Sequence, residues 1–476
     1  MKIGVKNVFE SSKIDPIEAV SSLCAIEGIK IDIVDNYGRT PLSYASQRGS
    51  TVSALYLLER GAVLDHQDKE GNTPLGISLL NHHSDYALML LQKGSNVNKE
   101  INVYSHDWNK KTKMFDSSFL VKYSTFRAAI TNEYQGITYT LLDKGFNYQV
   151  AMQDAISVAK FNLVETLLRK TNDNNLVRGS NEERQNLFHL LALGSSNDGS
   201  WHSRIANKLL ERGVEVHAKD KYGCSPFFYA VKCGHTTLCQ FFIRCGAKVD
   251  ESNNEGITPF VACINGRKIF VANRNIKKGN KSGFAGFAIA QSLPALLYTD
   301  SGDKYLEIAK MLLINKVSVN VVYKESSYYS IVHEKDSERV RAKKEHDNEY
   351  KTTPLIEAIK LKDSICIDLL LHYNADVNLC DSDGRSPIMH CVLSNRITLV
   401  NQILAKSPNL SLQDKQGKSV IHLAINPLEF GSYENSDLLV LLAKKGAPLK
   451  LADKKGKSQK FLHSFYIEIY YYFFFL

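Results

Sequence analysis

The sequence predicts an all-α solenoid: helix pairs stacked in chain order, joined by short β-hairpin-like turns and broken by several loop insertions. Three observations lead there. The 476 residues exceed what one hydrophobic core usually serves, so the chain divides into domains or stacks as an array. A block of sequence recurs at a fixed period, which chooses the array. Hydrophobic residues at 44% and charged residues at 23% describe a folded chain rather than a disordered one.

The recurring block is Asp35-Asn36-Tyr37-Gly38-Arg39-Thr40-Pro41-Leu42, which returns as Asp68-Lys69-Glu70-Gly71-Asn72-Thr73-Pro74-Leu75. Gly38 and Gly71 stand 33 residues apart, as do Gly223 and Gly256, and Gly384 and Gly417. Matching halves lie between them: Leu57-Leu58-Glu59-Arg60-Gly61-Ala62, Leu209-Leu210-Glu211-Arg212-Gly213, and Leu369-Leu370 leading to Asn374-Ala375-Asp376-Val377-Asn378. In period, order and motif these residues resemble the ankyrin repeat, over most of the chain.

Each residue type suits its place. Asp and Gly close a tight turn, with Gly taking a positive φ that other residues resist. Thr40, Thr73, Thr258 and Thr353 are placed to cap a first helix, and the Pro that follows each suits its first turn. A Leu-Leu pair on the second helix faces the next repeat, and Gly-Ala ends that helix with a left-handed cap. Helices of two or three turns are marginal alone, so stacking must supply the stability.

Along the chain, residues 1–34 read as a degenerate N-terminal cap unit whose first helix is Ile17-Glu18-Ala19-Val20. Repeats follow at 35–100, then an irregular insertion at 101–123 carrying Trp108 and several lysines. Repeats, some divergent, resume over 124–264. The next repeat is split: an insertion at 265–303 parts its first helix from a second half at 304–320. A densely charged insertion fills 321–351 and repeats return over 352–458. The aromatic tail, 459–476, has neither helical nor strand alternation. Two readings stand for it with equal weight: a translated intron or frame error, since A/T-rich codons spell Phe, Tyr, Ile, Leu and Lys, or an apolar end docked on the last repeat.

Several motifs that carry chemistry elsewhere fail here. Gly417-Lys418-Ser419 and Gly456-Lys457-Ser458 lack the upstream glycine of a phosphate loop, with Leu412 and Leu451 in its place. Gly279, Gly283 and Gly286 match a dinucleotide loop loosely, with no clear strand before them. His333-Glu334 opens a zinc motif whose second ligand position is Ser337. Cys224, Cys233, Cys239 and Cys245 are spaced too widely for paired zinc thiolates and read as buried or half-buried thiols. No Asp or Glu and nucleophile are placed to build a triad with a histidine. The expectation is therefore no catalytic residue, no metal and no cofactor.

Nine cysteines without a Cys-x-x-Cys pair, and an N-terminus broken by charge, point to free thiols and an intracellular chain, cytoplasmic or nuclear. No stretch is apolar for long enough to span a bilayer. The net charge of +9 permits attraction to acidic surfaces without calling for nucleic acid. Arg267, Lys268, Arg274, Lys277, Lys278 and Lys281 form an acid-free run, either an anion-binding patch or, the favoured reading, a solvated loop.

The ankyrin resemblance implies a protein-binding scaffold or adaptor, monomeric, holding a protein partner in a concave groove edged by hairpin tips. It places Asn36, Tyr37, Arg39, Lys69, Glu70, Asn72, Lys221, Tyr222, Asp383, Arg385, Lys415 and Lys418 at the tips. Tyr44, Arg48, Tyr229 and Lys232 take inner-helix positions lining the same groove. For His189, His390 and His422 it implies a structural hydrogen bond to a neighbouring turn. The split repeats, Gln185-Asn186-Leu187-Phe188-His189-Leu190-Leu191-Ala192 and Phe430-Gly431-Ser432-Tyr433-Glu434-Asn435 are also similar to ankyrin regions of protist poly(ADP-ribose) polymerases. That likeness implies an alternative, the regulatory ankyrin region of a truncated NAD-dependent enzyme, although no Trp-Gly-Arg or transferase motif occurs here.

Overall fold

The structure, a computed structural model, describes residues 30–108, 115–194, 199–277, 303–324, 351–394, 396–425, 436–448 and 451–454. The first helix of the cap unit, Lys278 and Lys281, most of the charged insertion, the segment Phe430 to Asn435 and the aromatic tail lie outside them. The chain forms two compact units, one of Met1–Asn181, Asn186–Ser196 and Arg204–Glu215, the other of Glu182–Gln185, Asn197–Ser203 and Val216–Leu476.

The first unit runs α1 (Pro41–Arg48), α2 (Thr51–Glu59), α3 (Pro74–Leu80), α4 (Ser84–Gln92), β1 (Glu100–Trp108), β2 (Phe115–Ser124), α5 (Thr125–Thr131), α6 (Gln135–Asp143), α7 (Tyr148–Ser157), α8 (Phe161–Lys170), α9 (Asn174–Arg178) and α10 (Leu187–Leu193). α11 (Ser200–Glu211) adds its residues from Arg204 onward. First helices pack in a row, α1 on α3, α3 on α5, α5 on α7, α7 on α10, and each of α1, α3, α5 and α7 also packs on its own second helix. Leu57, Leu90, Leu141 and Leu167 of the second helices are fully buried, as the Leu-Leu pattern requires.

The second unit contains α12 (Pro226–Cys233), α13 (Thr236–Arg244), α14 (Pro259–Lys277), α15 (Lys304–Ile314), β3 (Tyr323–Lys324), β4 (Lys351–Thr352), α16 (Pro354–Lys360), α17 (Ser364–His372), α18 (Pro387–Leu393), α19 (Ile397–Leu404), α20 (Val420–Ile425) and α21 (Ser436–Lys444). Its first helices also pack in order, α12 on α14, α14 on α16, α16 on α18 and α18 on α20. In both units Thr caps do what their position demands. Thr40 accepts from the Ser43 N–H at 3.3 Å, Thr73 from Gly76 at 3.2 Å, Thr353 from Ile356 at 3.2 Å and Thr258 from Val261 at 3.4 Å.

Two kinds of bond tie neighbouring repeats together. Along the turns, the Lys69 N–H donates to Tyr37 O at 2.9 Å, Asn254 to Tyr222 at 3.0 Å and Lys415 to Asp383 at 2.8 Å. Gly38 has φ +74°, and a Cβ there would come within 3.0 Å of the Lys69 nitrogen, so both conformation and close approach require glycine. Further from the tips, an Asp or Asn side chain accepts an N–H of the next repeat: Asp32 from Val63, Asp65 from Asn96, Asn378 from Asn409, each across 31 residues. Asn98 does the same for Asn147 across 49 residues and Asn320 for Asp376 across 56.

Two of the expected insertions carry antiparallel strand pairs among their described residues. Residues 101–108 and 115–123 form the arms of a β-hairpin, β1 antiparallel to β2 with Ile101 opposite Tyr123 and Val103 opposite Val121. This hairpin occupies the turn position of its repeat, because Asn102 bonds to Glu70 O and Asn72 Oδ1 of the preceding turn, while Ser124 caps α5. The short β3–β4 ladder likewise opens the charged insertion at a turn position, with Lys351 O accepting from Ser382 N at 2.9 Å. α14 continues to Lys277, so Arg267, Lys268, Arg274 and Lys277 lie on a helix rather than in a loop.

Candidate functional site

A turn aspartate organises five of the tips. One oxygen of Asp35 accepts the N–H groups of Tyr37 and Arg39 at 2.8 and 2.9 Å. Asp220 serves Tyr222 and Cys224 in the same way, Asp381 serves Asp383 and Arg385, Asp68 serves Glu70 and Asn72, and Asp414 serves Gln416 and Lys418. In three of these turns the second oxygen meets a side chain nine residues on. Tyr44 OH donates to Asp35 at 2.7 Å, Tyr229 OH to Asp220 at 2.7 Å, and His390 Nε2 lies 2.7 Å from Asp381.

These bonds correct the expected lining of the groove. Tyr44 and Tyr229 are buried, with hydroxyls committed to the turn. Asn72 is buried too, its Oδ1 accepting from the Asn102 N–H at 2.8 Å. Burial, assisted by the adjoining Cys224 and Asp220, pushes the Tyr229 phenol well above its usual range. Burial also pushes the Cys224 thiol up to about 11 and the Lys232 ammonium down, so neither behaves as a surface group. For Asp35, burial works against ionisation, but the Arg39 N–H, the Tyr44 hydroxyl and the Arg39 side chain outweigh it and hold the carboxyl at about 2.

The histidines divide by one residue of register. His189 and His422 stand third in their helices and accept from the backbone N–H of their own caps, Asn186 at 3.2 Å and Ser419 at 3.1 Å. His390 stands fourth, where Tyr44 and Tyr229 stand, and reaches the turn aspartate of its own repeat. His390 thus bonds to the turn of its own repeat.

The remaining tip residues differ in freedom. In the first unit Asn36, Tyr37, Lys69, Glu70 and the inner-helix Arg48 are exposed, Tyr37 at 63%. Arg39 is half-buried, donating twice to Asp35 with its guanidinium 4.7 Å from the rings of both Tyr37 and Tyr44. In the second unit Lys221 and Lys415 are exposed, while Tyr222, Lys232, Asp383, Arg385 and Lys418 are half-buried. Lys221 pairs with Glu183 and lies 4.8 Å from the Tyr222 ring.

The basic run splits. Arg267, 3% exposed, grips Asp363 with two bonds of 2.5 and 2.9 Å and pairs with Asp303. Both aspartates also cap helices, Asp303 through Leu306 N and Asp363 through Cys366 N. Lys268 and Lys360 meet the buried Glu357 at 2.9 and 3.1 Å. Burial opposes the Glu357 carboxylate, yet these two ammoniums lower its pKa. Arg267 and Lys268 thus rejoin the split repeat, and the patch reading loses both. Of the four widely spaced cysteines, Cys224 and Cys239 are buried and Cys233 and Cys245 half-buried thiols. Among the described residues no group of His, Cys, Asp and Glu could hold a metal ion, and no helix is long and apolar enough to cross a membrane.

The family model for ankyrin repeats in three copies matches residues 11–101, 188–273, 297–414 and 355–453, more than half of the chain. The chain belongs to the ankyrin-repeat family. This ankyrin-repeat chain is 34% identical over 86 residues to the ADP-ribosylation factor GTPase-activating protein AGD4 of Arabidopsis thaliana, covering 18% of itself and 11% of that protein. It is 24% identical over 287 residues to the transient receptor potential cation channel subfamily A member 1 of Homo sapiens, covering 52% of itself and 24% of the channel. The ankyrin-repeat chain thus spans about a tenth of the plant relative's length and about a quarter of the channel's. The crystal structure of the ankyrin repeat domain of Bcl-3 aligns with a TM-score of 0.37 and 15% identity, over 57% of this chain and 92% of that one.

The sequence reading missed the turn hairpin. Its signal was the alternation of Ile101 with Val103, and of Phe119, Val121 and Tyr123, a strand period. It also overlooked the second helices as a surface.

Proposed function

We propose that this chain is a non-catalytic protein-binding scaffold whose partner lies along the turn tips. One observation carries the reading. The turn aspartates and the tip-to-tip backbone bonds fix the backbone of the tips, while the side chains of Tyr37, Lys69, Glu70 and Lys415 stay exposed. Side chains held on a rigid backbone and not needed by the fold are free to specify a partner, and exposed aromatic groups commonly dominate such contacts. Each tip is small, so affinity comes from several in a row.

The test replaces Tyr37, Lys69 and Glu70 by Ala in one variant and Lys221 and Lys415 by Ala in another, then compares proteins captured from the source cell by quantitative mass spectrometry. Thermal stability should stay within about 0.5 kcal/mol of wild type, as for most surface changes. At least one variant should lose the proteins that wild type captures reproducibly. Undiminished capture by both would exclude the tips as the working surface.

A further inference from the structure

A second surface lies on the second helices of the first unit. Arg204 and Lys208 of α11, with Arg212 just beyond its end, are spaced by four residues and fall on one side of the helix, toward α8. Arg204 Nε meets Glu165 at 2.6 Å and Lys208 Nζ at 2.8 Å. Arg169, one turn along α8, approaches the same carboxylate at 3.6 Å. Arg212 is held instead by neutral oxygens, Leu168 O at 2.5 Å and Asn174 Oδ1 at 3.1 Å, and Arg178 donates to Arg212 O at 3.1 Å.

The charge does not balance. Glu165 is a single carboxylate, 5% exposed, with three cations around it, and their hydrogen bonds and charges lower its pKa. Residues 161–178 and 200–212 hold six basic and three acidic side chains. Of the other two acids, Asp173 caps α9 through the Asn175 N–H, and Glu211 is exposed at the end of α11. Yet the side chains remain solvent-accessible: Arg169 is 72% exposed, Arg204 55%, and Lys208, half-buried, 31%. They are held in place and still carry surplus charge, so a binding anion need not order them.

Spacing indicates the form of that anion. Side chains four residues apart on a helix rise by about 6 Å. Alternate side chains of an extended chain recur about every 6.7 Å. We propose that this stripe binds an extended acidic protein segment with Asp or Glu at alternate positions, each carboxylate taken by one rung. Guanidinium forks suit carboxylates, which they bind with two parallel bonds. A surplus of a few charges matches a few carboxylates, and is slight beside a nucleic-acid duplex with about one charge per 1.7 Å. The surface is separate from the turn tips and does not depend on their role.

Three labelled twelve-residue probes test this against the full chain by fluorescence anisotropy: a Glu-Ser alternating peptide, a peptide of the same composition with its glutamates in one block, and a single-stranded oligonucleotide. The alternating peptide should bind most tightly, and Arg169→Gln with Arg204→Gln should weaken it by about tenfold, the scale of charge-assisted contacts. Arg169→Gln alone, at an exposed site, should weaken it less and keeps the result readable if the double variant fails to fold. Glu165→Gln removes the internal counter-charge and should tighten binding, whereas a purely structural cluster would loosen. Equal affinity for the two peptides, tighter binding of the oligonucleotide, or indifference to Arg169→Gln would each overturn the proposal.

Discussion

The Tyr229 hydroxyl donates to Asp220 Oδ2 at 2.7 Å, joining the first helix of a repeat to the turn nine residues before it. Gln185 Nε2 touches the same oxygen at only 3.5 Å, so the phenol is its main support. At the corresponding place, Asp35 keeps two bonds from Arg39 in addition to that from Tyr44. Tyr229→Phe should therefore cost about 1–3 kcal/mol, the cost of under-satisfying a buried acceptor, and Tyr44→Phe about 0.5–1 kcal/mol. Urea denaturation of both variants distinguishes them, and equal losses would contradict the account.

The Asp35 carboxyl titrates at about 2 in the fold against an ordinary value of 3.8. A depressed acid stabilises the fold fully above its ordinary pKa and loses that contribution as pH falls toward the folded value. Hydrogen-exchange protection of the Tyr37 and Arg39 amides should accordingly fall in this window. With Asp35→Asn the protection is lower at neutral pH and flat across the window. A wild-type profile just as flat would show that the carboxylate does not hold the turn.

Leu57 and Leu370 are fully buried on second helices in different units. Leu57→Ala or Leu370→Ala should cost roughly 2–5 kcal/mol. Because repeats contact only their neighbours, each substitution should deprotect its own part of the array first. Uniform loss of exchange protection along the chain would refute nearest-neighbour stacking.

Arg267 spans two helix caps from a site that is 3% exposed. Removing one partner of a buried ion pair strands the other, so Arg267→Met should lower stability by about 3–5 kcal/mol. Lys268→Met, at 22% side-chain exposure, should cost clearly less. A thermal melt of the two variants gives the order directly, and the reverse order would assign the joint to Glu357 instead.

Turns, caps and buried leucines were legible in the sequence because each is local and recurs at a constant offset. Gly38 and Thr40 carry the same instructions as Gly71 and Thr73. The roles of Tyr44 and Tyr229 were not legible, since repeat position alone does not tell a phenol facing a partner from one turned back to its own turn. His390 misled for a related reason: one residue of register separates a side chain that caps its helix from one that reaches the turn aspartate. The stripe of Arg204, Lys208 and Arg212 follows helical spacing, but its counter-charge, Glu165, is supplied by another repeat.

The side-chain bonds between successive repeats span 31 residues in regular places, 49 across the β1–β2 hairpin and 56 across the charged insertion. The helix pair beyond an insertion is thus met by the same handhold however much chain has been spent in between. Loop closure grows only slowly with length, by about 0.6 kcal/mol per doubling. A gene encoding such an array can lengthen, shorten or exchange a tip segment in one step while the downstream repeats keep their register. Tips become the places where new modules are tried, and the helices behind them stay unaware of the experiment.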